Sequence, residues 1–429
     1  MKQSRYLRPV VLAGLLSWFT GLQGQELLPL EQAKQMALER NNQLKITQQQ
    51  VLAAKAAKLQ ADAAAKPHLD GSVTGFYVGK PLNQLLPEYG VSPSLTASQA
   101  IYAGGKIKLG QQSAAKNIEV QEEQHALTAT EVVFQTEQAY WNIVSMQEKV
   151  KLAQQYKKQL QALHTDLNNQ FQAGLTYKND LLRVAVQLNE AELNIIRAED
   201  GVTLSKLALA QLTGRNGQTG FLITDTIAGL FPPVNRDTGY AQLYQNRPEI
   251  RMMEKRIEAG QLQEKLLKAD FLPSIGISAG GFGALGKEGI NPTDPGKNGM
   301  ASYYGMVSLS IPLLDWGGRK QKIKQQQFAI AAQQYQLQET KELLTLELQQ
   351  AYIALNQAAK KVSFSEASLQ QANENLKLSN DRFEAGTIVG KDVLEAQSIW
   401  QQAVTDMIEA KVSYKISEAT LRKVQGVNR

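Results

Sequence analysis

Apolar residues recur every three or four positions over residues 30–65, 106–171 and 180–212, the period of a helix with one packed face. Between the first two stretches the period drops to two. Val73 and Tyr77 fall on one side and Thr74, Phe76 and Val78 on the other, which predicts a strand. A second strand follows, with Leu95, Ala97, Gln99 and Ile101 alternating against Ser94, Thr96, Ser98 and Ala100. Residues 81–93 read as the loop between them, and Gly104-Gly105 closes the hairpin. No proline interrupts 106–171, so a helix of 66 residues is expected there, about 100 Å long at 1.5 Å per residue. Leu160, Leu163, Leu167 and Phe171 form its packed seam, and Ala173-Gly174 ends it. A return helix then runs from Asp180 to about Leu212.

The pattern then repeats. Residues 240–268 read as helix, Pro273 opens a strand, 287–302 is a Gly/Asn/Pro loop and 304–314 the returning strand. Gly317-Gly318 precedes a second long helix to Phe383, with Leu344, Leu348, Tyr352 and Leu355 as its seam, and Asp392 starts the last helix. The residues match as well as the pattern. Ala139-Tyr140, Phe171, Ala173-Gly174, Asp180, Leu182 and Gly214 recur 212 positions on, as Ala351-Tyr352, Phe383, Ala385-Gly386, Asp392, Leu394 and Gly426. Earlier in the unit the offset is 206, relating Leu44 to Ile250, Lys45 to Arg251 and Pro67 to Pro273. The six-residue difference falls within the hairpins, where outer loops vary freely. Two copies of one large unit imply a duplicated architecture. In each copy the first and return helices are about half the length of the long helix. Stacked end to end, they make a rod of two helix columns, with a strand pair at one end and a helical tip at the other.

Composition changes this picture in three places. Aromatic residues are only 7% of the 429, and Gln, Ala, Leu and Lys dominate the helical stretches, as in long helices and coiled coils. Lys2, Arg5 and Arg8 precede an apolar run of 14 residues, 9–22, with small residues at Gly21 and Gly24. This is the form of an export signal over residues 1–24, and too short for a helical span. Removing it takes the net charge from +6 to +3, and the remaining Lys and Arg are scattered, so nucleic acid is not an expected partner. The sequence has no cysteine, which excludes disulfides and thiolate metal sites.

Strands of nine to twelve residues have the length that crosses a bilayer when tilted. In lipid they must close into a barrel, and four strands cannot close around a lumen, so several chains must share one barrel. The competing reading is a periplasmic coiled coil, structural or adhesive, capped by two soluble hairpins and lacking a pore.

The hairpin exits 99–106 (Gln-Ala-Ile-Tyr-Ala-Gly-Gly-Lys) and 312–319 (Pro-Leu-Leu-Asp-Trp-Gly-Gly-Arg) carry a resemblance. So do the tips 171–174 and 382–386, each followed six residues after its glycine by aspartate. With the duplicated layout, they make the chain similar to the TolC-type outer membrane efflux proteins over nearly its whole mature length. The resemblance implies a mainly α fold with membrane β, forming a homotrimer. A twelve-stranded barrel in outer membrane lipid would continue into a periplasmic helical tunnel. It divides the chain into a signal (1–24), a first repeat (25–214; hairpin about 70–102, tip near 174), a connector (215–239) and a second repeat (240–429; hairpin about 273–314, tip near 386). It implies passive export, with no catalysis and no cofactor. The expected partners are a periplasmic adaptor and, through it, an inner-membrane pump of the RND or ABC class.

The family's acidic entrance residues map to Asp180, Asp392 and Glu395, which would favour cations and gate the periplasmic end. Gly174, Leu175, Gly386 and Thr387 map to the tips that meet the adaptor. Where latched members carry arginine and tyrosine, this chain has Ile388 and Phe383. A bland role stays open beside the gate. Aspartate early in a helix caps free N–H groups and favours the dipole, and Asp180 and Asp392 are placed to do only that. Glu395, one turn further in, fits a cap less well; Arg183 holds its position in the first repeat.

Other motifs lead elsewhere. Residues 281–286 spell G-x-G-x-x-G, and Glu288 stands where a phosphate loop needs Ser or Thr. Asn291-Pro292 and Asp294-Pro295-Gly296 follow, in place of the helix that phosphate binding requires. His68, His125 and His164 lack metal-site spacing. Trp316 and Tyr303-Tyr304 suit an interfacial aromatic belt, whereas Trp141 and Trp400 suit helix cores.

Overall fold

The computed structural model describes residues 26–80, 88–235, 240–286 and 299–427. The signal segment and the middles of both outer loops lie outside these residues. Two short strands, β1 (Glu26–Leu27) and β4 (Phe221–Leu222), pair in parallel and tie the connector to the start of the first repeat.

The first repeat runs α1 (Leu30–Arg40), α2 (Asn42–Ala63), β2 (His68–Tyr77), β3 (Tyr89–Tyr102), α3 (Lys106–Gln172) and α4 (Lys178–Leu212). The second runs α5 (Tyr240–Asn246), α6 (Pro248–Ala269), β5 (Ser274–Gly286), β6 (Gly299–Ser310), α7 (Gly318–Glu384) and α8 (Gly390–Gln425). The two long helices are each 67 residues, about 100 Å.

Each helix predicted over 30–65 and 240–268 is in fact two. The breaks fall at Asn41 and Arg247, which correspond under the 206 offset. Both residues are buried and extended, and periodicity does not register them because the apolar spacing continues across each break. The column partner of α3 is therefore α2 stacked on α4, with α1 packed separately against α3. The strands also differ in extent. Residues 89–93 and 299–302, expected in loops, belong to β3 and β6, and β6 ends at Ser310, not 314. Hydrogen bonding to a neighbouring strand extends each ladder past the point where local alternation fades.

The four long strands form one antiparallel sheet, ordered β2-β3-β5-β6. Below it, α3 packs between α2 and α6, with α7 beyond α6. Toward the tips α3 packs between α4 and α8, with α7 beyond α8. Sheet and helices thus keep one lateral order, and the wall is one layer thick. Its seam residues Leu160, Leu163, Leu344, Leu348, Tyr352 and Leu355 are buried, each apolar side chain contributing roughly 1.5–3 kcal/mol. Phe171 is exposed while its repeat counterpart Phe383 is buried. The chain covers the α3–α8 side, and the equivalent flank joining α7 to an α4 finds no partner among the described residues.

The core thickens at the mid-height of the rod. Tyr140 is fully buried, and its hydroxyl donates to the Asp225 carboxylate at 2.5 Å with the Leu28 carbonyl at 3.2 Å. Burial and then the Asp225 carboxylate hold this phenol well above its ordinary pKa, so it stays protonated as a donor. Its counterpart Tyr352 accepts from Gln425 at 3.0 Å. The connector is fixed where Tyr414 donates to the Pro232 carbonyl and Asn356 bonds both backbone groups of Val234.

Candidate functional site

Two regions carry features that packing alone does not require: the sheet and the opposite end of the helices. In the sheet, directly opposed residues share a face. Leu69, Gly71, Val73, Gly75 and Tyr77 of β2 oppose Ala97, Leu95, Pro93, Val91 and Tyr89 of β3. The same face continues through Ile277, Ala279, Gly281 and Leu285 of β5 to Val307, Gly305, Tyr303 and Ala301 of β6. Apart from tyrosine hydroxyls and Gln99, which donates to the Ala65 carbonyl at the helical end of the sheet, the described residues of this face carry no polar side chain, and Val73, Leu95, Val307 and Tyr303 lie open. The reverse face carries Asp70, Ser72, Thr74, Ser94, Thr96, Ser278, Ser302 and Ser308, interspersed with Phe76, Phe282 and Met306. Among the described residues, strands β2 and β6 each present an unpaired edge.

A sheet predominantly apolar on one face, richer in polar groups on the other and open at both edges is stable in water only if its apolar face and its edges are covered. Lipid against the first face and further strands at the edges meet both needs, with water on the second face. Among the described residues no helix is long and apolar enough to cross a membrane.

Tyr303 and Tyr304 point to opposite faces, so only Tyr303 is on the apolar side. Tyr304 lies across Gly280 and reaches Thr96, hydroxyl to hydroxyl, at 3.1 Å. This polar-face cross-strand link was missed from sequence; a glycine opposite an aromatic is its one visible sign. The G-x-G-x-x-G run lies within β5, as extended strand. Trp141 and Trp400 are buried in helices, and Trp316 is exposed beyond β6.

At the other end both tips close alike. Gly174 and Gly386 take φ of 75° and 69°, a left-handed conformation that a side chain would strain. Leu175 N–H donates to Gln170 O at 2.8 Å and Thr387 N–H to Arg382 O at 2.9 Å, satisfying carbonyls at the helix ends. Leu175 and Thr387 are themselves exposed, as is Tyr177 beside them.

Asp180 accepts from the Thr176 hydroxyl at 3.1 Å, and Asp392 accepts from the Val389 N–H at 3.3 Å. Both sit in the first turn of their helices. Glu395 is exposed a turn further in, as is Arg183 at its counterpart in α4. The two tips lie at the same end because α8 begins against α3. Gly390 is buried there, and a Cβ on it would stand 2.8 Å from the Leu167 side chain. In the sequence Gly390 has no repeat signal to mark it, since its counterpart is Lys178.

Comparison with known proteins agrees with this geometry. A family model described as "Outer membrane efflux protein" matches residues 33–215 and 239–427, one stretch per repeat. The alkaline protease secretion protein AprF of Pseudomonas aeruginosa is 21% identical over 312 residues, which take in 69% of this chain but only 62% of that relative. The outer membrane protein TolC of Escherichia coli is 20% identical over 349 residues, 78% of this chain and 69% of TolC. Among solved structures, the open state of the MtrE outer membrane channel of Neisseria gonorrhoeae superposes with a TM-score of 0.76 at 18% identity, covering 92% of this chain and 88% of that one. The CmeC outer membrane channel of Campylobacter jejuni gives 0.76 at 20% identity, covering 92% and 85%.

Proposed function

The chain belongs to the outer membrane efflux protein family, and on that premise we propose that it is the outer membrane duct of a multi-part export system. Three chains would place twelve strands in one barrel, the apolar face toward lipid and the hydroxyl-bearing face toward a water-filled lumen. The carrying observation is the four-stranded sheet with one predominantly apolar face and, among the described residues, two open edges, continuous with helices about 100 Å long. Repeat symmetry supplies the closure. The contacts α3 makes with α6 and α8 inside one chain are those that α7 would make with α2 and α4 of the next.

Such a duct does no chemistry. It lowers the barrier for a polar solute by replacing lipid with water, and the energy comes from an inner-membrane pump, RND or ABC, reached through a periplasmic adaptor. The exposed tips around Gly174, Leu175, Gly386 and Thr387 are the surface offered to that adaptor. Asp392 and Glu395 would place rings of carboxylate at the narrow end, with Asp180 on the neighbouring helix, drawing cations to the entrance. Opening would proceed by untwisting of the helix pairs about their tips. With Ile388 and Phe383 in place of arginine and tyrosine, a salt-bridge latch is not expected.

Reconstitution of the purified chain in planar bilayers tests this reading. Discrete conductance steps and heat-modifiable oligomers are expected. A soluble, non-conducting coiled coil would overturn the duct in favour of a structural or adhesive role.

A further inference from the structure

The two repeats serve as internal controls for each other: what the fold needs, both copies should have. At the junction between strand and long helix they part company. Gly104 has φ 60°, and its counterpart Trp316 has φ 54°, a conformation that glycine takes freely and tryptophan does not. Trp316 is 91% exposed, so packing within the chain does not offset that strain. Leu313 and Leu314 beside it are exposed as well.

The helix that follows departs in the same way. Arg319, Lys322 and Lys324 stand where the first repeat has Ile107, Gly110 and Gln112, and Lys320 matches Lys108. No acidic residue occurs between Gly318 and Gln338. Four cations in the first two turns of a helix oppose its dipole, which favours anions there. Arg319 sits over the Phe271 ring and near Asp315, whose carboxyl is held below its usual range by backbone N–H groups of Arg319 and Gly317. Lys320, Lys322 and Lys324 are exposed and form no ion pair among the described residues.

Tryptophan and leucine open to the exterior, followed at once by unpaired cations, match the boundary where hydrocarbon gives way to anionic headgroups. The patch directly continues the apolar face of β6, which ends at Ser310. We propose that this junction is a docking surface for anionic phospholipid headgroups of the leaflet facing the helices, one surface per chain. Trp316 and Leu313 would enter the acyl boundary while Arg319, Lys320, Lys322 and Lys324 engage phosphate. The proposal rests on the membrane reading above. The first repeat's junction has Gly104 and Ile107 at these positions and its Lys106 pairs with Asp270 at 2.7 Å, so it would lack such attachment.

The test uses the full chain in vesicles of phosphatidylethanolamine in which a fixed fraction is brominated-chain phosphatidylglycerol or brominated-chain phosphatidylethanolamine. Quenching assigned to Trp316, by difference from Trp316→Phe, should be at least about threefold stronger with the anionic lipid. Replacing the four cations together (R319Q/K320Q/K322Q/K324Q) should bring that ratio to about one. Conductance of the same samples reports insertion separately. Equal quenching by both lipids, or none in a conducting sample, would overturn the docking surface alone. Absence of both insertion and conductance would overturn the membrane reading, and the docking with it.

Discussion

Asn41 and Arg247 stand at the same position of the two repeats and perform the same task with different chemistry. Asn41 Nδ2 donates to the carbonyl of Leu212 at 3.0 Å, and Arg247 Nη1 donates to the carbonyls of Lys423 at 2.8 Å and Val424 at 3.3 Å. Leu212 and Val424 are themselves related by 212 positions. Each residue thus joins the break between its two short helices to the open end of the return helix. Each joint is completed by a left-handed glycine, Gly214 or Gly426, against the backbone of Arg40 or Asn246. This is what makes two stacked helices act as one column.

Arg247→Ala should therefore cost more than Asn41→Ala. The arginine is 4% exposed and also pairs with Glu249, so its loss strands two carbonyls and a carboxylate, at about 3–5 kcal/mol. Loss of the asparagine removes one helix cap and one carbonyl partner, about 1–2 kcal/mol. Urea midpoints of the two variants, compared at equal protein concentration, check the order.

The sheet offers a matched pair of glycines. A Cβ at Gly280 would lie 2.7 Å from the Leu95 carbonyl oxygen and 3.0 Å from the Tyr304 ring, whereas at Gly305 nothing lies within 4 Å. Gly280→Ala is expected to destabilise the assembled form by about 1–3 kcal/mol, because backbone must shift. Gly305→Ala should be close to neutral. The temperature at which the oligomer dissociates on a gel distinguishes them.

Replacing Asp392 and Glu395 together with alanine should weaken cation selectivity and relieve block by multivalent cations in single-channel recordings. Asp392→Ala alone also removes a helix cap, costing about 1 kcal/mol. Unchanged selectivity and block in the double variant would leave these carboxylates with capping alone.

The upper columns are strapped by ions. Lys116 on α3 meets Glu119 and, across to α6, Glu258, each at 2.8 Å, while Lys255 returns to Glu119 at 3.2 Å. Lys116 holds both carboxyls below the ordinary value of about 4.5. A depressed folded-state value means this stabilisation is complete above about pH 4.5 and is lost as pH falls through the depressed values. Lys116→Met should lower stability near neutrality by no more than about 1 kcal/mol, since the cluster is largely solvated. It should also flatten the acid side of the urea-midpoint profile. An unchanged profile would remove the cluster from the acid response.

How far the chain was legible depended on whether a feature repeats locally. Both 67-residue helices were read to within a residue or two, because glycine pairs punctuate their starts, an Ala-Gly step their tips, and no proline interrupts them. The tip turns were legible because Gly174 and Gly386 are needed for a left-handed cap. The breaks at Asn41 and Arg247 were not, because each is set by a carbonyl 171 or more positions away. The same holds for Tyr304 over Gly280, for Gly390 against Leu167, and for the residues that entered the strands only through their neighbours.

By itself the sequence determined the duplication, the helix–hairpin–helix order and the lengths of the columns. These follow from period and punctuation, which are properties of nearby residues. Only the tertiary structure decided that the four strands form one sheet ordered β2-β3-β5-β6, with Leu69, Val73, Leu95, Ile277 and Val307 brought to one face. It also decided which flank of each long helix the chain covers and which it leaves bare among the described residues. Those outcomes depend on pairing between segments some 200 residues apart, where register and burial are set by shape and hydrogen bonding that no local pattern encodes.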